Sequence, residues 1–186
     1  MKHLFYTLLL LVGLSAHSKD LDMFRLVGPV DSLCVEMNDA GLTWQCEYSF
    51  DDDGFLIEVD GVDINVERDR NGFITDFIIE EDDEDNEPIT IETKITYDKA
   101  GRVTGTKTVS PDEVWTETFT YNHEGLLIKR EYMSADSTED FYYTYTKFDP
   151  LGNWTERQEK VSSLNQSIIQ TRHITYRGDK HPLSTQ

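Results

Sequence analysis

Basic side chains are scarce in this chain of 186 residues: 17 Lys and Arg stand against 36 Asp and Glu, for a formal charge of −19. That balance argues against nucleic acid as a partner, because a phosphate backbone is held by Lys and Arg, and against anionic membrane surfaces. Histidine is sparse too, with only His123, His173 and His181 beyond residue 18. His123 falls in a turn and His173 in an ordinary strand pattern, so neither marks a reactive pair. No G-x-S-x-G elbow, P-loop, H-E-x-x-H or clustered Cys/His spacing occurs. The expectation is a non-enzymatic protein with no catalytic residue, no cofactor and no metal site. Glu67-x-Asp69-x-Asn71-Gly72 faintly echoes a calcium loop, but Ile78 stands where that motif needs an acid.

Long apolar runs are equally rare. The one present, Leu4 to Leu14, is shorter than the roughly 20 residues needed to cross a bilayer. Met1-Lys2-His3 gives it a positive start and Ala16-His17-Ser18 a small-x-small cleavage site, so residues 1–18 read as a secretory signal peptide. The mature chain is then exported, either to a periplasm or to the cell surface and beyond. Cleavage removes one Lys and no acid, which takes the formal charge from −19 to −20. Residues 19–186 are long enough for one domain with its own core.

What the chain does have is a recurring turn. An Asp or Asn, two loose positions and a Gly recur six times: Asn38 to Gly41, Asp51 to Gly54, Asp69 to Gly72, Asp98 to Gly101, Asn122 to Gly125 and Asp149 to Gly152. Asp or Asn accepts a backbone hydrogen bond, and Gly supplies the positive φ that closes a three-residue loop with a bulge. The residue four before Gly then faces the residue two after it. That pairs Phe50 with Leu56, Tyr97 with Val103, Tyr121 with Leu127 and Phe148 with Trp154, and less favourably Arg68 with Ile74 and Met37 with Thr43. Cross-strand apolar pairs contribute roughly 0.2–1 kcal/mol each. The same counting sets Cys34, in the first hairpin, directly against Cys46. These are the only two cysteines, and an exported chain is expected to join them.

Strands rich in Thr, Val, Ile, Tyr and Phe are expected over 32–37, 42–50, 55–60, 62–68, 73–80, 88–97, 102–109, 113–121, 126–133, 140–148, 153–161 and 167–176. No convincing helix is seen. The fold class is all-β, an antiparallel meander of about twelve strands built from repeated hairpins. Aromatics on both faces of Phe141-Tyr142-Tyr143-Thr144-Tyr145 ask for cover on both sides, so the sheet is curled or two-layered. The D-x-x-G turns are expected along one rim and the variable loops along the other. Residues 19–31 and 178–186 read as peripheral ends, and Glu80 to Glu87 as a solvated acidic loop.

Ile95-Thr96-Tyr97-Asp98-Lys99-Ala100-Gly101-Arg102-Val103 resembles the YD repeat, Y-D-x-x-G-R-L, of Rhs-type and teneurin proteins. Phe148-Asp149-Pro150-Leu151-Gly152-Asn153-Trp154 is similar to its Y-D-x-x-G-N variant, and Tyr121 to Leu127 makes a third copy. The resemblance covers about 37–177. It implies β-hairpin repeats with no catalytic residues in them, and six copies are too few for the hollow shells the family builds. The resulting expectation is an exported binding or structural module whose partner is a protein or a glycan, with self-association through edge strands open to it. One alternative is carbohydrate binding by exposed rings among Trp44, Trp115, Trp154, Tyr142, Tyr143 and Tyr145. Another is a hydrolase using a carboxylate pair. An outer-membrane barrel is disfavoured, because Lys129-Arg130-Glu131 and Glu156 to Lys160 leave no unbroken lipid-facing side. Insertion of the mature chain into a membrane is not expected. Material recovered from the exported fraction should have the intact mass of residues 19–186. Exported protein that retains residues 1–18 would contradict the signal-peptide assignment.

Overall fold

The computed structural model describes residues 19–39, 41–82, 88–164 and 167–178. Residues 1–18, expected as a signal peptide, most of the expected acidic loop and the tail from 179 lie outside the described residues.

The chain begins with a short helix, α1 (Lys19–Phe24), and continues as thirteen antiparallel strands. They are β1 (Val30–Asp39), β2 (Leu42–Phe50), β3 (Leu56–Val59), β4 (Val62–Asp63), β5 (Asn65–Arg68), β6 (Ile74–Asp82) and β7 (Pro88–Tyr97). After them come β8 (Val103–Val109), β9 (Val114–Tyr121), β10 (Leu127–Ser134), β11 (Thr138–Phe148), β12 (Trp154–Val161) and β13 (Ser167–Tyr176). The acidic stretch Glu80 to Asp82, expected as loop, extends β6 instead.

Sequence neighbours pair throughout except β4 and β5, and β1 also pairs with β13, so the two ends of the meander meet. The outermost strands of the sheet are then β4 and β5, which are consecutive in sequence and separated only by Ile64. The strand expected over 62–68 is broken there: its first half pairs with β3 and its second half with β6. This one break makes thirteen strands of the expected twelve, and the curled sheet is a nearly closed barrel. Past that bridge, Leu42–Cys46 of β2 and Ile79–Asp82 of β6 have no strand on their facing edges among the described residues. They leave a notch in the wall.

Five of the six turns share one construction. In each, a single side-chain oxygen of the Asp or Asn accepts two backbone N–H groups: Asp51 Oδ1 from Asp53 (3.0 Å) and Phe55 (2.9 Å), Asp98 Oδ1 from Ala100 (2.8 Å) and Arg102 (3.0 Å), and Asn122 Oδ1 from Glu124 (3.0 Å) and Leu126 (2.9 Å). Asp69 and Asp149 do the same. The closing residue donates its N–H back to the turn, with φ between 77° and 87° at Gly54, Gly72, Gly101, Gly125 and Gly152. That is backbone which L side chains rarely adopt. Each hairpin carries a bulge, and Phe50 faces Leu56, Arg68 faces Ile74, Tyr97 faces Val103, Tyr121 faces Leu127 and Phe148 faces Trp154. All five turns lie at one end of the barrel, here the turn rim.

The first copy departs from the rule. Asp39 faces Leu42 across a two-residue connection, and Asn38 bonds to Thr43 rather than capping a turn. This hairpin also lies at the opposite end, because the single strand β2 joins it to the turn at Asp51. The register is one residue off the expected one, so Met37 faces Trp44, Cys34 faces Glu47 and Cys46 faces Val35. A one-residue slip exchanges the faces of a strand. In the observed register Leu33 and Val35 share the inward face with Cys46 and Tyr48, whereas the expected register would turn Ser32, Cys34 and Glu36 inward. Burial of the apolar set decides it. Cys34 and Cys46 therefore lie on opposite faces of the sheet, and both thiols are free.

Residues 19–31 are not peripheral. Leu21, Met23, Phe24, Leu26 and Val30 are all buried and belong to the main core with Tyr48, Phe50, Leu56, Ile74, Val103, Leu127 and Trp154. Burial pushes the Cys46 thiol up to about 12, offset in part by Tyr48 and reinforced by Asp60, and burial raises Cys34 as well. Because the thiolate is the nucleophile, iodoacetamide at pH 8 should leave Cys46 of the native protein unlabelled. After unfolding without reductant, both residues should label. A peptide pair joined through Cys34 and Cys46 would contradict the register.

Candidate functional site

Two features define the interior. The first is a plug: α1 and the chain to Pro29 cap the turn rim from inside and are held by groups from around it. Asp20 accepts Arg68 Nη1 and Nη2 at 2.6 Å each and the Leu56 N–H at 2.8 Å. Phe24, with 0% of its surface exposed, packs its ring on Tyr48 (4.7 Å) and Phe50 (5.5 Å). Arg25 donates to the Glu124 carbonyl at 2.7 Å. Asn153 holds the backbone of Val27 at both ends, accepting its N–H at 2.7 Å and donating to its carbonyl at 2.9 Å. Asn153 is the residue that gives the last turn its G-N form, so a repeat position also serves as a latch.

The second feature is a polar wall. The inward phase of β9, β10, β12 and β13 places Glu117, Arg130, Arg157, Glu159, Gln170 and Arg172 inside, all buried. Arg130 Nη1 bonds Glu117 at 3.0 Å, and Thr106 donates to the same carboxylate at 3.0 Å. Gln170 links Glu159 (2.9 Å) to Arg157 Nε (2.6 Å), whose Nη1 reaches the Tyr145 hydroxyl at 3.4 Å. Arg172 Nη1 donates to the Phe24 carbonyl at 2.9 Å, which ties the wall to the plug. Guanidinium groups lie over aromatic rings: Arg130 over Phe141 at 3.8 Å, Arg157 over Tyr143 at 4.0 Å and Trp154 at 4.6 Å, and Arg172 over Trp154 at 3.8 Å.

Burial dominates the electrostatics of this wall. It raises the Glu117 carboxyl above its ordinary value against the pull of Arg130 and Thr106. It lowers Arg172 well below the ordinary range, and the charge of Arg157 pushes in the same direction. Arg130 has a carboxylate partner; Arg157 and Arg172 form no ion pair among the described residues.

The residues singled out by sequence are dispersed. Asp51, Gly54, Gly72, Asp98, Gly101, Asn122, Gly125, Asp149 and Gly152 line the turn rim, while Cys34 and Cys46 sit apart in the β1–β2 hairpin. Trp44 and Tyr142 are 47% and 45% exposed, but β1, β13 and β12 separate their strands, so they form no common platform. Trp154 and Tyr143 are core, and Trp115 and Tyr145 are half-buried. Among the described residues no group of three or more His, Cys, Asp or Glu is arranged to hold a metal ion, and no helix is long and apolar enough to cross a membrane. The plug and the wall had faint signals in the sequence. Leu21, Met23, Phe24 and Leu26 form an apolar cluster directly after the segment expected as a signal peptide, and Arg157 and Glu159 lie in phase with Val161.

No protein-family model matches the chain, and no curated protein matches its sequence.

Truncating Phe24 to Ala removes a buried ring and leaves a cavity between the plug and the barrel. Urea unfolding should show a loss of about 3–5 kcal/mol. A loss below about 1 kcal/mol would mean that the plug is not part of the cooperative fold.

Proposed function

We propose that this is an exported, non-enzymatic, YD-like β-repeat barrel that acts as a binding module, with its working end opposite the turn rim. The supporting observation is the difference between the two ends. The turn rim is filled by the chain's own N-terminal segment. At the other end, side chains in the inward phase reach the mouth as half-exposed rings: Trp44 on β2, Trp115 on β9, Tyr132 on β10 and Phe141 on β11. The notch edges of β2 and β6 open at that same end. Rings with exposed surface and unpaired strand edges are what a protein partner engages, and a second copy of the chain is one such partner.

The alternatives draw less support. A flat sugar-binding platform needs neighbouring exposed rings, and Trp44 and Tyr142 are strands apart. A carboxylate hydrolase needs two acids free to reach substrate, and the buried acids Glu117 and Glu159 are bonded to Arg130, Thr106 and Gln170. Export rests on the signal segment. On the outer faces of β10–β12, ion pairs such as Lys129–Glu131 and Lys147–Glu156 suit an aqueous compartment.

Cross-linking of exported protein in its native host, followed by mass spectrometry, tests the reading. Wild type should retain one partner, or a second copy of itself, that the Trp44→Ala/Trp115→Ala double variant loses at unchanged thermal stability. Equal retention by the double variant, or no retained species at all, would overturn it.

A further inference from the structure

Arg157 and Arg172 are the anomaly of the interior. They are 0% and 3% exposed, and both guanidinium groups lie on the indole of Trp154. Their existing bonds are few and neutral: Gln170, the Tyr145 hydroxyl and the Phe24 carbonyl. Among the described residues Arg157 Nη2, Arg172 Nε, Arg172 Nη2 and Trp154 Nε1 have no acceptor. Three buried guanidinium donors beside one indole, and the indole N–H itself, thus have no acceptor among the described residues.

The physics of that arrangement calls for a counter-charge. Arginine does not shed its proton in proteins, and burying an ion without a partner is strongly unfavourable. Each buried hydrogen bond left unmade adds to that cost. Water would satisfy the donors but not the charge. The two carboxylates of the wall, Glu117 and Glu159, face three guanidinium groups, Arg130, Arg157 and Arg172, so one positive charge of the wall has no counterpart in it. Guanidinium forks match the oxygens of carboxylate and phosphate, often in pairs of parallel hydrogen bonds.

We infer that the barrel holds an oxyanion, a carboxylate or a phosphate group, against Arg157, Arg172 and the Trp154 indole N–H beneath the plug. This deepens the binding-module reading and rests on it, adding a ligand class and an internal site distinct from the mouth. Because Arg172 also holds the Phe24 carbonyl, the occupied site and the seated plug share a residue and stabilise each other.

Indole N–H resonances of the mature wild-type protein provide the test. Its three tryptophans give three signals, which Trp44→Phe and Trp115→Phe variants assign without touching the site. Inorganic phosphate and acetate are titrated separately into protein in chloride buffer at constant ionic strength. The Trp154 signal should shift saturably with at least one of the two while Trp44 and Trp115 stay still, and the tighter of the two identifies the group. Arg157→Met and Arg172→Met should each weaken that binding at least tenfold. A Trp154 signal that ignores both anions in the wild type overturns the inference even if neither variant folds. So does an equal response in the variants, which would be a general salt effect. A silent Trp154 together with a partner still retained through Trp44 and Trp115 would remove the anion and leave the binding module. Loss of both would remove the two together.

Discussion

Everything in this molecule depends on the pairing of β1 with β13. A meander has two free edges, and hydrogen-bonding its first strand to its last converts an open ribbon into a wall with an inside. The eight residue pairs from Val30↔Tyr176 to Asn38↔Ile169 make that joint. The chain enters β1 and leaves β13 at the turn rim, so closure also delivers the N-terminal segment to the place where it becomes the plug. Arg177, just past β13, fastens the same corner by bonding the Val30, Phe50 and Asp51 carbonyls.

A barrel of this many strands is wider than its own inward side chains readily fill, and the two halves meet that problem differently. On β2, β3, β6, β7 and β8 the inward positions near the turn rim are apolar, and the plug supplies Leu21, Met23, Phe24 and Leu26 to complete a conventional core. On β9, β10, β12 and β13 the inward phase adds long polar side chains whose stems and flat guanidinium faces cover aromatic surface, as Arg130 does over Phe141 and Arg157 over Tyr143. Filling with arginine solves the volume and creates the charge. A wall made only for stability would be expected to use apolar residues of similar size, since those commonly equal or exceed buried ion pairs in stability.

The architecture was legible in the sequence because the signal was local. Asp98 and Gly101, or Asn122 and Gly125, determine their own turn through bonds within five residues, and the facing pairs follow by counting. What failed were the statements that needed knowledge of the other side of the barrel. The first copy has the same letters, but the choice of its register belongs to Leu33, Val35 and Tyr48, which prefer the inside. That choice separated Cys34 from Cys46. The plug was misread for a related reason: a six-residue helix has no periodicity to detect, and its burial depends on rim residues such as Asn153 and Arg68, far away in sequence. The wall was hidden by the rule that charges on a strand point to water. In a closed sheet the inward phase is set by the neighbours, and Arg157 lies in it whatever its charge.

That hidden phase bears on what the protein is for. Repeat residues explain the turns and the plug explains the filled rim, yet neither requires cations beneath Phe24. Gln170 is informative here. It stands between Glu159 and Arg157, accepting from the arginine and donating to the acid, so it holds the two apart where a direct ion pair would neutralise both. A glutamine spacer of that kind leaves Arg157 charged and directed, with one amino group idle, and Arg172 repeats the condition one strand away with two idle donors. Three guanidinium groups facing two carboxylates in one buried wall leave a positive charge that the wall does not compensate, and that surplus is what the proposed anion would balance.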